Sequence, residues 1–306
     1  MYDVIIIGAG TAGMTAGIYA RRAGKTVLII EEKSYGGQII NTPEVENYPG
    51  ISKVSGFTFA NNLYNQTREL GVEFKFEEVM KIQNNSGYKV VVTNKNKYQY
   101  QGKAIIIAIG AKNRPLGVNN EDKLTGAGVS YCATCDGAFF KGKDVAVVGG
   151  GNTALEDAMF LSDYCNPVYV IHRRNKFRGE KGLADILKEK SNVKFVFDSV
   201  VKSINGDKSV EGLEILNLKT NIISEIKVQG VFIAIGQMPD NKKFSNIVEL
   251  DDKGYIKADE TCTTNTEGVF VAGDCRTKQV RQLTTAASDG AVAALAACSY
   301  INKINQ

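Results

Sequence analysis

One pattern constrains this chain more than any other, and it occurs twice. Residues 3–32 read DVIIIGAGTAGMTAGIYARRAGKTVLIIEE, and residues 144–174 read DVAVVGGGNTALEDAMFLSDYCNPVYVIHRR. Each begins with an apolar run of strand type and meets a glycine-rich turn. Each then continues with helical periodicity and ends in a second apolar strand, which is the layout of a βαβ unit. A repeated unit of this kind predicts two nucleotide-binding domains in 306 residues. The predicted fold class is α/β, with two Rossmann-like domains of three layers each.

A second repeat fits that division. AIIIAIGA at 104–111 and VFIAIGQM at 231–238 are apolar strands running into glycine, each well downstream of a glycine turn. Each reads as the closing edge of its own domain. The tail beyond 241 is short for a third domain. It contains GVFVAGD followed by an alanine-rich helical stretch, and it is expected to rejoin the first domain. The predicted boundaries are 1–114 and 242–306 for the first domain, with 115–241 inserted between them as the second. Two thin crossings would let the domains turn as rigid bodies. Strands are expected near 72–79 and 88–93, turns at 84–87 and 94–97, and a solvated surface helix at 180–190.

The glycines have separable roles. In Gly8-Ala9-Gly10-Thr11-Ala12-Gly13 the first makes the turn, the second lets a pyrophosphate approach, and the third lets helix and strand pack. Gly149, Gly151 and Ala154 repeat the arrangement, followed by the Asn152 and Thr153 helix start. The two units differ where the second strand ends. Glu31 closes the first, and a carboxylate there accepts hydrogen bonds from a ribose diol, which suits FAD or NAD. His172, Arg173 and Arg174 close the second, with Arg178 nearby. Guanidinium groups at that position match a 2′-phosphate, so the second site is assigned to NADPH.

Of six cysteines, only Cys132 and Cys135 are closely spaced, in SYCATCDG. Zinc would require a second pair or histidines, and the chain has one histidine. A Cys-x-x-Cys that opens a helix has redox spacing, and Asp136 directly after it is placed to handle a proton. Hydride from NADPH reaches a disulfide through a mediator, and a flavin in the first site would provide one. The net charge of +4 is spread without a basic stripe, so no nucleic-acid role is expected. No apolar run of membrane-spanning length and no leader pattern is present, and a cytoplasmic protein is expected. Cys165, Cys262, Cys275 and Cys298 read as small buried residues.

YCATCDGAFF, GGGNTALEDA, HRRNKFR, GAGTAG, GGQI with NTPEVENYPG, and GVFVAGD together resemble the low-molecular-weight thioredoxin reductases of bacteria, across essentially the whole chain. That resemblance implies an FAD flavoprotein homodimer that reduces thioredoxin or a thioredoxin-like protein with NADPH. The second domain would rotate to present first its disulfide and then its nicotinamide to the flavin. By matching position, Cys132 would attack the partner disulfide, Cys135 would lie against the flavin, and Asp136 would be the acid–base. Gly36, Gly37, Gln38, Asn47, Gly110, Gly273, Asp274, Arg281 and Gln282 would join the first glycine turn around FAD. Two positions depart from the family pattern. Ala127 stands where an arginine is common before the cysteines, and Ile109 stands in a strand end more often read A-T-G. The alternatives are a related reductase of a peroxiredoxin or glutaredoxin-like partner, a ferredoxin-dependent relative, and a flavin sensor without dithiol turnover.

Overall fold

The computed structural model describes residues 1–42, 44–94 and 99–305, apart from the side chain of residue 41. Most of the turn expected at 94–97 therefore lies outside the described residues. The chain divides into two compact units, Met1–Lys112 with Met238–Gln306, and Asn113–Gln237.

In the first unit a parallel sheet runs in the order Glu73–Phe76, Val27–Glu31, Tyr2–Ile7, Gln99–Ile107. Strand Gln99–Ile107 is shared along its length. Its first half pairs antiparallel with Tyr88–Thr93, which in turn pairs with Val79–Asn85. Its second half pairs in parallel with Val269–Val271, matching Val269 to Ile105 and Val271 to Ile107. Both faces are covered, as parallel sheets require. Val4 and Ile6 pack beneath helices Thr11–Arg22 and Leu283–Ile304. Ile5 and Ile7 face the other way, onto Val79, Ile82, Val91, Phe244 and Ile256. That double burial is why these strands read as unbroken apolar runs rather than alternating ones.

The second unit repeats the plan. Its parallel sheet has the order Val193–Val196, Val168–Ile171, Val145–Gly149, Gly230–Ala234, Val129–Ser130. Helices Asn152–Ser162 and Lys181–Glu189 cover one face, and the antiparallel sheet Ser199–Asn205, Gly212–Asn217, Ile223–Ile226 covers the other. At the ends of this unit the Arg114 N–H donates to the Gly236 carbonyl at 2.9 Å, and the Gln237 amide donates to Asn113 at 3.0 Å.

Two expectations are corrected. The AIIIAIGA and VFIAIGQM strands are interior, not closing edges, because strands pair with each on both sides. An apolar run without polar alternation belongs in the middle of a parallel sheet. Helix Lys181–Glu189 is not merely solvated, since Ala184 and Leu187 are buried against the second unit's core. The alanine-rich stretch is a helix as expected, Leu283–Ile304 with 22 residues, and Asp289 is buried within it. No helix among the described residues is long and apolar enough to cross a membrane.

Candidate active site

In the first glycine turn each position is distinguished by what surrounds it. Gly8 has φ +106°, and a Cβ there would stand 2.4 Å from the Ala108 carbonyl oxygen. A Cβ on Gly13 would stand 1.9 Å from the Gly8 carbonyl oxygen, so helix and strand touch backbone to backbone. Around Gly10, by contrast, a Cβ would meet nothing within 4 Å. The protein's own packing does not demand glycine there, so that space remains open above the helix Thr11–Arg22. That helix has no side-chain cap and no acid in its first turn. Its leading N–H groups are suited to an anion.

Of the other residues expected here, Glu31, Gly36, Gly37 and Gly273 lie against this turn, and the rest contact one another or neighbouring segments. Glu31 accepts from the Ala9 N–H at 2.8 Å and from the Lys33 N–H at 3.0 Å, fixing the strand end to the loop. Gly36 donates to the Ala9 carbonyl at 2.8 Å, and Gly37 lies against Gly10. Gly273 packs on Ala12, as does Gly290. The Gln38 amide donates to the Ala111 carbonyl, next to Gly110. Asn47 donates to Gln282 at 3.3 Å, and Gln282 also caps helix Leu283–Ile304 through a reciprocal pair with Thr285. Arg281 lies over the Tyr255 ring at 4.2 Å and reaches the Asp274 carbonyl at 3.4 Å. Asp274 holds a buried Oδ1 with no hydrogen-bond partner among the described residues. Burial raises its carboxyl, with Lys278 and Arg281 opposing. An orphaned buried acceptor is what a ribityl or ribose hydroxyl would satisfy, and with the open space at Gly10 these residues fit FAD.

One cluster that holds the Gly273–Asp274 turn was not visible in the sequence. The Asp289 carboxylate, 6 % exposed, accepts from Arg276 Nε and Nη2, both at 2.8 Å, and from Lys278 Nζ at 2.8 Å. It also accepts from the Gly273 N–H at 2.9 Å. A lone acid in an alanine-rich run carries no pattern that announces two buried cations. Tyr255, the platform beneath Arg281, was missed for the same reason.

In the second unit, a Cβ on Gly149 would stand 2.4 Å from the Ala234 carbonyl oxygen and 2.7 Å from the Ala154 methyl. The segment after the second strand folds back over the loop, with Arg178 and Gly179 N–H groups donating to the Gly150 carbonyl at 2.7 and 3.0 Å. Gly151 faces Arg178, the nearest atom to a Cβ there at 3.9 Å. Asn152, beside Thr153 at the helix start, is held by Glu180 through two hydrogen bonds of 2.8 and 2.9 Å. His172 lies under the loop, 9 % exposed, with its ring against Gly150. Burial and the neighbouring arginines hold it neutral-leaning, below the usual imidazole range. Arg173, Arg174 and Arg178 are exposed and form no ion pair among the described residues, leaving three guanidinium groups available to a phosphate.

Cys132 and Cys135 form a disulfide, with Cα atoms 5.3 Å apart, at the start of the short helix Ala133–Asp136. Both are half-buried. The Asp136 Oδ2 accepts from the Ser130 hydroxyl at 2.6 Å, while Oδ1 is buried and unpartnered among the described residues. Burial raises the Asp136 carboxyl, and Ser130 partly opposes this. Asp136 is thus a half-buried acid with one buried, unpartnered oxygen, displaced upward and directly after the second cysteine in sequence, the kind of environment that tunes acid–base groups. The other four cysteines are buried thiols. Burial pushes Cys165 up to about 11, and Cys262 and Cys275 up to about 12, which keeps them protonated and unreactive.

Comparison with known proteins places this arrangement. A family model described as pyridine nucleotide-disulphide oxidoreductase matches residues 2–290. A thioredoxin reductase of Listeria monocytogenes is 41 % identical over 307 residues, covering all of this chain and 96 % of that protein. A Clostridium pasteurianum protein described as a 34.2 kDa protein in a rubredoxin operon is 43 % identical over 300 residues, covering 98 % of this chain and 97 % of its own. The crystal structure of a thioredoxin reductase from Streptococcus pyogenes superposes with a TM-score of 0.93 at 42 % identity, covering 99 % of each chain. The doubled glycine turn, the orphaned Asp274 oxygen and the Cys132–Cys135 disulfide thus belong to a chain of the pyridine nucleotide-disulphide oxidoreductase family, in its low-molecular-weight thioredoxin reductase branch.

Proposed function

We propose that this protein reduces the disulfide of thioredoxin, or of a closely thioredoxin-like protein, at the expense of NADPH. It would act as an FAD-bearing homodimer in the cytoplasm. The observation that carries this reading is the Cys132–Cys135 disulfide followed directly by a half-buried acid, in a chain of this family. FAD supplies two-electron chemistry that accepts a hydride and passes the electron pair on to sulfur. The chain's own residues do the rest. Gly8, Gly10 and Gly13, with the Thr11–Arg22 helix start, would cradle the pyrophosphate, and Glu31 and Asp274 would accept from sugar hydroxyls. Arg173, Arg174 and Arg178 would hold the 2′-phosphate of NADPH.

The stoichiometry closes simply. One hydride and one proton convert the Cys132–Cys135 disulfide into two thiols. The Cys132 thiolate then attacks the partner disulfide, and Cys135 displaces the reduced partner, so that two electrons and two protons leave with it. Asp136 would hold the proton between these steps.

The test is steady-state turnover of purified thioredoxin disulfide with NADPH, NADH and reduced ferredoxin as donors, alongside thiol titration after anaerobic addition of NADPH. The expected result is NADPH-specific turnover, with two new thiols per chain that Cys132→Ser and Cys135→Ser each abolish. Turnover surviving either substitution would overturn the dithiol route. Bleaching by NADPH without new thiols would leave a flavin sensor in its place.

A further inference from the structure

Ser130 touches both the disulfide loop and its acid. It closes strand Val129–Ser130, which pairs in parallel with Val231–Phe232 at the edge of the second unit's sheet, and its residue is 5 % exposed. Its hydroxyl is within reach of three groups. It donates to Asp136 Oδ2 at 2.6 Å, it accepts the Cys132 N–H at 3.1 Å, and the Cys132 carbonyl stands 3.3 Å away. A serine hydroxyl has one proton to give and two lone pairs to receive. With Asp136 ionised, the proton points at the carboxylate. With Asp136 protonated, the carboxyl proton can be given to Ser130 Oγ, whose own hydrogen then turns to the Cys132 carbonyl.

We propose that Ser130 is the positioning residue of the dithiol centre, keeping the buried Asp136 carboxyl partnered in both of its protonation states while tying it to the backbone of Cys132. The inference rests on the acid–base role read for Asp136 above. The two states are not equivalent. The Cys132 carbonyl already accepts the Asp136 N–H at 3.1 Å and is the more distant acceptor, so the hydroxyl makes its better bond to the ionised acid. Ser130 therefore pulls toward the carboxylate while burial pulls toward the neutral acid. With Oδ1 unpartnered among the described residues, no second hydrogen bond to the carboxylate shares that task.

The two elements packed most closely against this turn add no positive charge. Segment Gly137–Phe140 carries no ionisable side chain. Helix Asn152–Ser162 carries Glu156 and Asp157 and no other ionisable group. Asp157 is itself pushed up to about 7 by burial and by Glu156, and its signal must be separated from that of Asp136 by experiment. Burial and Ser130 are what act on Asp136.

The test follows the carboxyl directly, by 13C NMR titration of the full oxidised flavoprotein labelled at aspartate carboxyl carbons. Asp136→Asn identifies the signal by its loss, and Asp157→Asn must leave that signal in place. Ser130→Ala is expected to raise its midpoint by about one pH unit or more, the size of one lost hydrogen bond to a charged group, and Ser130→Thr is expected to restore it. An unchanged or lowered midpoint in Ser130→Ala overturns the proposal, as does a threonine variant that behaves like alanine. Single-turnover reoxidation of the dithiol by thioredoxin disulfide is measured in parallel. If Asp136→Asn leaves that rate and its pH profile unchanged, the acid–base reading of Asp136 fails, whatever the NMR midpoint does.

Discussion

Asp289→Asn removes a charge and almost no volume from the cluster that pins the Gly273–Asp274 turn. In the intact protein one carboxylate, 6 % exposed, answers Arg276 at 1 % and Lys278 at 5 % exposure. Removing one partner of a buried ion pair costs about 3–5 kcal/mol, because the remaining charge stays desolvated without compensation. Arg276 retains Glu260 at 3.2 Å, although that carboxylate is 90 % exposed, and it retains the Thr277 carbonyl at 3.0 Å. Lys278 retains only the Thr285 carbonyl at 3.3 Å among its described partners. The loss is therefore expected at the lower end, about 3 kcal/mol, which lowers the melting midpoint of a unit of this size by roughly 6–12 °C. Release of flavin fluorescence on heating, at one fixed excess of FAD, reads the unit that contains the cluster and keeps ligand linkage constant.

The pH dependence supplies an internal check. Burial works to raise the Asp289 carboxyl, but Arg276 and Lys278 outweigh it and hold it below the usual carboxylate range. Its contribution is thus fully present above about pH 4, where an unfolded aspartate is ionised, and is lost as pH falls through the lower folded value. Wild-type and Asp289→Asn melting curves should differ at pH 7 and converge in strong acid. A difference under about 2 °C at pH 7, or one that persists undiminished in acid, would refute the assignment of this cluster as a structural clamp.

Two further outcomes are expected. Gly10→Ala should leave the fold intact and weaken FAD retention on refolding, since a Cβ there meets no protein atom, whereas Gly13→Ala should fail to accumulate as folded protein because its Cβ would lie 1.9 Å from the Gly8 carbonyl; differential scanning and flavin content distinguish them, and equal behaviour would refute the division of roles. Arg173→Ala combined with Arg174→Ala should raise KM for NADPH by on the order of tenfold or more while leaving KM for NADH near its original value, because only NADPH carries the extra phosphate; parallel losses would remove these residues from phosphate recognition.

What could be read in the sequence was whatever has a fixed local spacing. The two βαβ units, the strand-ending Glu31 and Arg173-Arg174, and Cys132-x-x-Cys135 are each set by a few consecutive residues obeying one period, and they stand in the structure where that period puts them. Glycine positions were legible because steric demand leaves no substitute at Gly8 or Gly13. Sheet order was harder. The strands at 104–107 and 230–234 looked terminal in sequence but are interior, because order in a parallel sheet follows from crossovers and from covering both faces.

The amino-acid order by itself determined the class of chemistry: two dinucleotide turns of different charge and one vicinal cysteine pair. Only the tertiary structure decided how the acids are held. Asp289 finds Arg276, Lys278 and the Gly273 backbone across 11 to 16 positions of chain, and His172 slips beneath Gly150 rather than facing outward with its arginine neighbours. Asp136 meets Ser130 six residues back only because a strand end and a helix start are brought together. Such partnerships depend on burial, which removes water as the competing partner and makes each unsatisfied charge expensive. Burial is a property of the packed chain, and no local spacing encodes it.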